Sequence, residues 1–584
     1  MCGIAGIIGN YNESQLDSML LSQQHRGPDF TGKYADEGFA TLGHNRLAII
    51  DLFPQSNQPF SDNSGRYILV FNGEIYNYIE LKAELKNQYD FKTESDTEVL
   101  LAAFIVYGKQ CLQKLNGMFA FAIWDKQEKK LFAARDRFGV KPFYYSLKNK
   151  ALYFSSEIKA IHAAGVSKTP NEKVWASYFA YGSYGNPDET FWEGVSQLPG
   201  GHFLEYQNHN LILQKWYCFE DEVAKLPKNL TYNQAKEKYV ALLKDSINLR
   251  FRSDVTVGFN ISGGLDSSVL LALINLQNDG NFDCHSEPVE ESFKDQQVLI
   301  NAYTFYTNNP DYDELPWVEM MMAKTHNPLT KVLLRADEVP DLANKIAWQQ
   351  DEPYGGIPTL AYTKIFEQAR KDKVMVLLDG QGMDEQWAGY DYYTQESEAT
   401  IQGVTNSPYK TSMLSDSFLA KAEKSVYPKP FDDAVLNKQY RDLFYTKIPR
   451  ALRFNDRISM AFSTELREPF LDYRLVEFAF SLPLNFKIKN GITKYMLREI
   501  ASEYLVDDLV FAPKRAMQTP QREWLAKELK NWVSTCFAEI ENTTLSEWFN
   551  KEELQKELQL YFDGNRQSSF HIWQCISWWE MMHS

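Results

Sequence analysis

The stretch Ser262-Gly263-Gly264-Leu265-Asp266-Ser267-Ser268 decides how this chain is read. Before it, residues 255–261 (VTVGFNI) alternate and are rich in β-branched side chains, which predicts a buried strand. After it, residues 269–276 (VLLALINL) predict a helix. Strand, Gly-Ser loop and helix together make a cradle for phosphate. Glycines let the backbone come close, and the first amides of the helix, with its dipole, favour an anion. The loop is not a Walker A motif, because Gly-Lys-Ser/Thr is absent. In place of that lysine it carries Asp266, which suits a Mg²⁺ bridging to phosphate oxygens. A glycine turn between two core elements would give the same short string, so its meaning depends on the rest of the chain.

The whole sequence sets bounds. At 584 residues it predicts several domains, and 44% hydrophobic residues are ample for large cores. A net charge of -16 argues against broad nucleic-acid binding, so an anionic substrate must meet a local basic site. The six cysteines are scattered with no CxxC pair, which suggests neither a disulfide framework nor a zinc site. The start, MCGIAGIIGN, lacks the basic and apolar regions of a signal peptide, and no apolar run is long enough to span a membrane. A soluble, cytoplasmic enzyme is the class that fits.

Cys2 follows the initiator Met directly. Removal of Met1 would leave an N-terminal cysteine whose own α-amine, with a pKa near about 8, can take the thiol proton. Taken alone, Cys2 reads as readily as a buried cysteine on a strand. Further along come His25-Arg26-Gly27-Pro28-Asp29, then Arg46 at the start of an apolar strand. Phe71-Asn72-Gly73-Glu74 reads as a strand ending in a turn, and Ser95-Asp96-Thr97-Glu98 as a helix N-cap. Each has a bland reading as turn, cap or surface charge. The strands of this part are expected to alternate polar and apolar, as in a two-sheet sandwich with helices outside.

In order and spacing these segments resemble the glutaminase domain of class II amidotransferases, an N-terminal nucleophile hydrolase. The later Arg135-Asp136-Arg137-Phe138-Gly139 and Phe154-Ser155-Ser156-Glu157 continue the match over nearly all of the first 160 residues. The resemblance implies that Cys2 attacks the side-chain amide of glutamine and that Asn72 and Gly73 form the oxyanion hole. It assigns Arg46 to the glutamine α-carboxylate, and Glu74 and Asp96 to its α-ammonium. Leu198-Pro199-Gly200-Gly201 and residues 206–210 punctuate the chain, so a domain of residues 1–207 is expected to give way, through a linker near 207–225, to one of residues 208–584.

In the second part, residues 373–378 (KVMVLL) predict a continuous apolar strand that delivers Asp379-Gly380-Gln381-Gly382-Met383-Asp384-Glu385. Alternating strand and helix units around a parallel sheet predict a doubly wound domain with its site at the strand C-termini. SGGLDSS is similar to the pyrophosphate loop of enzymes that cleave ATP between the α and β phosphates. With the second motif, the chain resembles glutamine-hydrolysing asparagine synthetase over nearly its whole length. The fold this implies is an αββα N-terminal nucleophile hydrolase sandwich followed by an α/β ATP-pyrophosphatase domain with a helical C-terminal part.

The resemblance places ATP on Ile261, Ser262, Gly263, Gly264, Asp266, Ser267, Ser268, Asp379 and Gly380, and Mg²⁺ on Asp266 and Asp384. It assigns Lys494 to the phosphates. Lys494 and Arg498 would share a helix face, although a solvated basic face gives the same spacing. The implied substrates are glutamine, ATP and aspartate, or another carboxylate such as a uronic acid. No nucleic-acid or membrane partner is expected, and a homodimer is compatible with the family.

Three features stand apart. Residues 279–297 are acidic and interrupt the expected return to the sheet, which suggests a mobile surface insertion. Residues 513–516 (PKRA) form a basic stretch, and the aromatic tail from 570 to 579 is expected to pack. Relatives usually carry an acid where this chain has Gln381, and an amide cannot act as base or counter-charge.

Overall fold

The computed structural model describes residues 2–278, 299–395, 407–512, 518–565 and 568–583. The 279–297 insertion and the 513–516 stretch lie outside the described residues.

The first unit contains β1 (Gly3–Ile8), β2 (Phe30–Asp36), β3 (Ala40–Arg46), β4 (Phe60–Ser61), β5 (Tyr67–Ile75), β6 (Gly117–Asp125), β7 (Lys130–Arg135), β8 (Tyr144–Lys148), β9 (Ala151–Ser155), β10 (Ser196–Gln197), β11 (His202–Gln207) and β12 (Asn210–Lys215). They form two six-stranded sheets, ordered β10-β8-β9-β1-β3-β2 and β12-β11-β7-β6-β5-β4. Side-chain parity explains the layering. Ile4 and Ile8 of β1 meet Val70, Ala122 and Trp124 between the sheets. Ala5 and Ile7 point the other way, onto Leu16 and Met19 of the helix Glu13–Ser22. Leu69 and Phe71 of β5 likewise meet Val99 and Leu100 of the helix Asp96–Tyr107. The result is an αββα sandwich.

This layering corrects the expected alternation. β1, β3 and β9 are buried at every position, because helices cover the outer faces and leave no solvated side. Residues 207–225 are not a linker either, since they hold β12 and the helix Phe219–Lys225. Asn208 and His209 both have positive φ, 51° and 61°, the signature of a tight hairpin turn. β12 pairs back on β11, so the sheet runs past residue 207 to Lys215.

The second unit is built on β13 (Val257–Asn260), β14 (Ala302–Tyr306), β15 (Leu329–Leu333), β16 (Val376–Leu378) and β17 (Glu465–Arg467). All are parallel, in the order β15-β14-β13-β16-β17. Phe259 and Leu378 pack on the helices Tyr232–Phe251 and Leu265–Asn278, while Tyr303, Leu377 and Leu466 pack on Val339–Gln350 and Ile357–Lys371. Both faces are covered, as a doubly wound sheet requires. The order reverses between the adjacent strands β13 and β16, so their C-terminal loops open on one crevice, where such sheets take their ligands. The tail forms the helix Phe570–His583, whose Trp573, Ile576 and Trp578 are buried with Val533 and Phe537 of Lys530–Ile540, as expected.

A buried ion network ties the units together. Arg26 donates to Glu157 at 2.9 Å and to Asp456 at 2.8 and 3.1 Å. Arg457 approaches the same Glu157 at 3.1 Å. Such networks stand only when every member is paired.

Candidate active sites

Two polar sites lie where the two halves of the sequence placed them. The first begins at Cys2, on the threshold of β1. Its backbone N–H donates to Oδ1 of Asn72 at 3.0 Å. This fixes the amide of Asn72, and Nδ2 is left buried with no hydrogen-bond partner among the described residues. An orphaned buried donor beside a thiol is what a developing oxyanion would use. Asn72, Gly73 and Glu74 do not form a turn. They continue β5, opposite Ala120, Phe119 and Met118 of β6. Gly73 has φ 151°, and a Cβ there would strike the Met118 carbonyl, so the close strand approach requires glycine.

Burial raises the Cys2 thiol above its usual value, which keeps it protonated until a base acts. Arg46 is buried, and both its Nη groups bond inward. They donate to Phe53 O at 3.0 Å, Asn57 Oδ1 at 2.7 Å and the carbonyls of Ile50 and Asp51. Arg46 therefore fixes the loop after β3 and has Nε left to offer.

Glu74 and Asp96 are both buried. Burial first, then the charges of Glu465 and Asp96, push Glu74 well above the carboxylate range. Asp96 is pushed up to about 6 by burial, against the Ile75 N–H that it accepts at 2.9 Å. Two buried acids whose ionised forms are disfavoured by burial suit a cationic group that stabilises their charge on arrival.

The second site is a cleft of about 870 Å³ at the C-terminal ends of β13 and β16. Ile261 and Ser262 follow β13, and Ser267 knots the loop, its Oγ donating to the Ser262 carbonyl at 2.9 Å. Gly263 N–H donates to Glu314 at 3.2 Å, and Gly264 and Ser268 begin the helix turn that holds Asp266. Gly380, after β16, closes against the backbone of Ser267. Asp379 accepts the Tyr362 hydroxyl at 2.5 Å and the Gly380 N–H at 2.6 Å. Asn260 in turn donates to Tyr362 at 2.7 Å. Gln381 lines the same cleft beside Asp379.

Lys494 joins the two motifs. Its ammonium lies 2.6 Å from Asp266 and 2.6 Å from Asp384. Burial works against the charge, but the two carboxylates outweigh it and hold the ammonium above its ordinary value. Lys494 caps the helix Tyr495–Ala501 with φ 55°, and a side chain on Gly389 would collide with Asp384 and Lys494. Arg498 lines the same cleft, but its hydrogen bonds go elsewhere. It donates to the carbonyls of Thr493 and Val510.

No group of three or more His, Cys, Asp or Glu side chains able to hold a metal occurs among the described residues. Two carboxylates converging on one cation are still enough for Mg²⁺, which takes one or two carboxylates and completes its shell with substrate phosphates and water. The place of the Lys494 ammonium shows that the carboxylates of Asp266 and Asp384 meet at one point and stabilise positive charge there.

Known proteins agree with both halves. A glutamine amidotransferase domain model matches residues 1–217, and an asparagine synthase model matches residues 238–584. The chain is 29% identical over 563 residues to glutamine-hydrolyzing asparagine synthetase 3 of Bacillus subtilis (strain 168), covering 92% of this chain and 90% of that one. It is 30% identical to asparagine synthetase 2 of the same organism, covering 88% and 71%. It is also 26% identical to the amidase chry2 of Gibberella zeae, covering 95% and 96%. With the sandwich, the parallel sheet and these matches in place, the chain belongs to the asparagine synthase family and carries a glutamine amidotransferase domain at its N-terminal end.

Proposed function

We propose that this ATP-dependent, glutamine-using ligase amidates aspartate in the cytoplasm. Glutamine, aspartate, ATP and water would give glutamate, asparagine, AMP and pyrophosphate. The observation that carries this reading is Lys494 held between Asp266 and Asp384, in the cleft of the SGGLDSS loop.

The work divides at the end of β12. In the first unit, removal of Met1 frees the Cys2 amine to take the thiol proton. The sulfur attacks the amide carbon of glutamine and expels ammonia, and water then hydrolyses the resulting thioester to glutamate and the free thiol. Asn72 Nδ2 and the Gly73 N–H stabilise the oxyanion, Arg46 shapes the carboxylate end, and Glu74 and Asp96 receive the α-ammonium. In the second unit the backbone of residues 261–264, with Ser267 and Ser268, cradles the phosphates, and Asp379 and Gly380 border the nucleotide. Asp266 and Asp384 would hold Mg²⁺, which when bound neutralises charge on the pyrophosphate. Lys494 donates to the phosphate oxygens as aspartate displaces pyrophosphate, and ammonia then displaces AMP from the acyl-adenylate.

Gln381 favours a second acceptor, a uronic acid. It lines the cleft and brings no negative charge for an α-ammonium. Glu352 does not replace that charge, since Arg453 holds it at 2.9 Å. Glu385 lines the cleft with an oxygen bonded by Tyr390 at 2.8 Å. The deciding experiment supplies ATP, Mg²⁺ and glutamine with either aspartate or glucuronate. Asparagine and AMP in equal amounts support aspartate. AMP from glucuronate and none above background from aspartate would overturn it. A rise in aspartate activity in Gln381→Glu would mark the amide as a handicap for aspartate.

A further inference from the structure

One side chain joins the two sites. Arg467 ends β17, and its carbonyl accepts the Asp379 N–H at 2.9 Å on the ATP side. Its guanidinium points the opposite way, into the glutamine site. Nε–H donates to Glu465 at 2.5 Å, and Nη1 donates to the carbonyls of Arg250 and Arg252 at 2.8 and 2.7 Å. Nη2 has no hydrogen-bond partner among the described residues. Oε2 of Glu74 has none either, and the two atoms lie 3.7 Å apart. Both side chains are buried, so neither atom faces bulk solvent. The Tyr76 ring lies 5.5 Å from the guanidinium and closes the remaining side.

A charge-assisted bond at this position would span about 2.8 Å. The pair is therefore about one ångström short of closure. On one side Glu465 holds the guanidinium back; on the other Glu74 faces Asp96, a like charge when both are ionised. An ammonium group between Glu74 and Asp96 removes that repulsion and lets Glu74 carry full charge.

We propose that Arg467 is a positioning residue that couples the sites. An α-ammonium bound at Glu74 and Asp96 closes the gap between Glu74 and Arg467, and the same residue's backbone transmits the shift to Asp379 in the ATP cleft. This rests on the assignment of Glu74 and Asp96 to the glutamine ammonium. By thermodynamic reciprocity, glutamine and ATP then tighten one another by the same factor. The open and closed gap are the two arrangements such coupling requires.

The test uses the full chain carrying Cys2→Ala, which binds glutamine without consuming it. ATP affinity, with Mg²⁺ and no acceptor, is measured by calorimetry with and without saturating glutamine. The expected result is ATP binding about five-fold or more tighter with glutamine, in the usual range for coupled sites. Arg467→Lys keeps the charge but not the second amino group, and should bring that ratio close to one. Glu465→Gln serves where the lysine variant does not fold. Freed of its charged tether, Arg467 closes without help, so ATP binds with the glutamine-bound affinity in both conditions. An unchanged ratio in both variants overturns the coupling, as does an ATP affinity indifferent to glutamine in the Cys2→Ala protein. Absence of any glutamine binding heat there overturns the glutamine-site assignment itself, and the coupling with it.

Discussion

The two sites handle acidic residues in opposite ways. In the ATP cleft, Asp266 and Asp384 meet a built-in cation, Lys494, within 2.6 Å. At the cluster proposed for glutamine, Glu74 and Asp96 have no cation within hydrogen-bonding distance among the described residues, and the Arg467 guanidinium stays 3.7 Å from Glu74. On the proposed assignment the difference follows from the ligands. A polyanion needs carboxylates already compensated, or repulsion would exclude it. A zwitterion that brings its own ammonium suits buried acids that lack a built-in cation, because its charge offsets the cost of ionising them there.

The comparison breaks most sharply at the nucleophile. Cys2→Ala should reduce glutamine-dependent synthesis by ~10⁴-fold or more, as loss of a nucleophile commonly does. Ammonia-dependent synthesis should stay within about two-fold, because distant sites act additively. AMP release with each nitrogen donor measures both. An equal loss with both donors would show that the two sites are not separate. Next comes the cation of the ATP cleft. Lys494→Ala leaves Asp266 and Asp384 facing each other and removes a phosphate donor, so AMP formation should fall ~10²–10³-fold with glutaminase activity spared. Normal AMP formation would place the compensating charge elsewhere.

What could be read beforehand was local chemistry. SGGLDSS and the Asp379–Glu385 motif were legible because loop, glycine and carboxylate spacing are written in consecutive residues. The errors came from long range. Gly73 looked like a turn residue, but it is a strand glycine facing the backbone of Phe119 on a neighbouring strand. Asn208 and His209 looked like a linker because a tight hairpin and a boundary share their composition. Alternation failed in β1 because covering helices are not visible from the strand's own sequence. Glu314, Tyr362 and Arg467 owe their places to pairings between distant strands. Charged residues within β17, in Glu465-Leu466-Arg467, were the one available hint that this strand faces something polar.

A milder perturbation sharpens the contrast through pH. Glutamine must meet ionised acids, so kcat/KM for the glutaminase half-reaction should rise with pH through about 6, where Asp96 loses its proton. Asp96→Asn should raise KM for glutamine by roughly ten-fold, the loss of one charged hydrogen bond. Ammonia-dependent synthesis, which relies on compensated acids, should show no step in that window when rates are compared at constant free NH3. A parallel step in both activities would tie it to something other than the glutamine pocket.

The smallest effect is on stability, and its sign is specific. In the fold, Asp96 keeps its proton up to about 6, whereas in the unfolded chain it loses it near 3.8. Between those values the folded state binds more protons, so this residue lowers stability as pH rises from about 4 to about 6, and the deficit persists above. The full cost is at most about 3 kcal/mol at 1.4 kcal/mol per unit. Asn at this position keeps an oxygen that can accept the Ile75 N–H and has no charge to desolvate. Without glutamine, Asp96→Asn should therefore match the parent in melting temperature near pH 4 and exceed it by a few degrees at pH 8. Saturating glutamine at pH 8 should shrink that gain, because the ligand's ammonium compensates the acid in the parent alone. A variant destabilised equally at both pH values would mean that Asp96 is held as an ordinary structural acid.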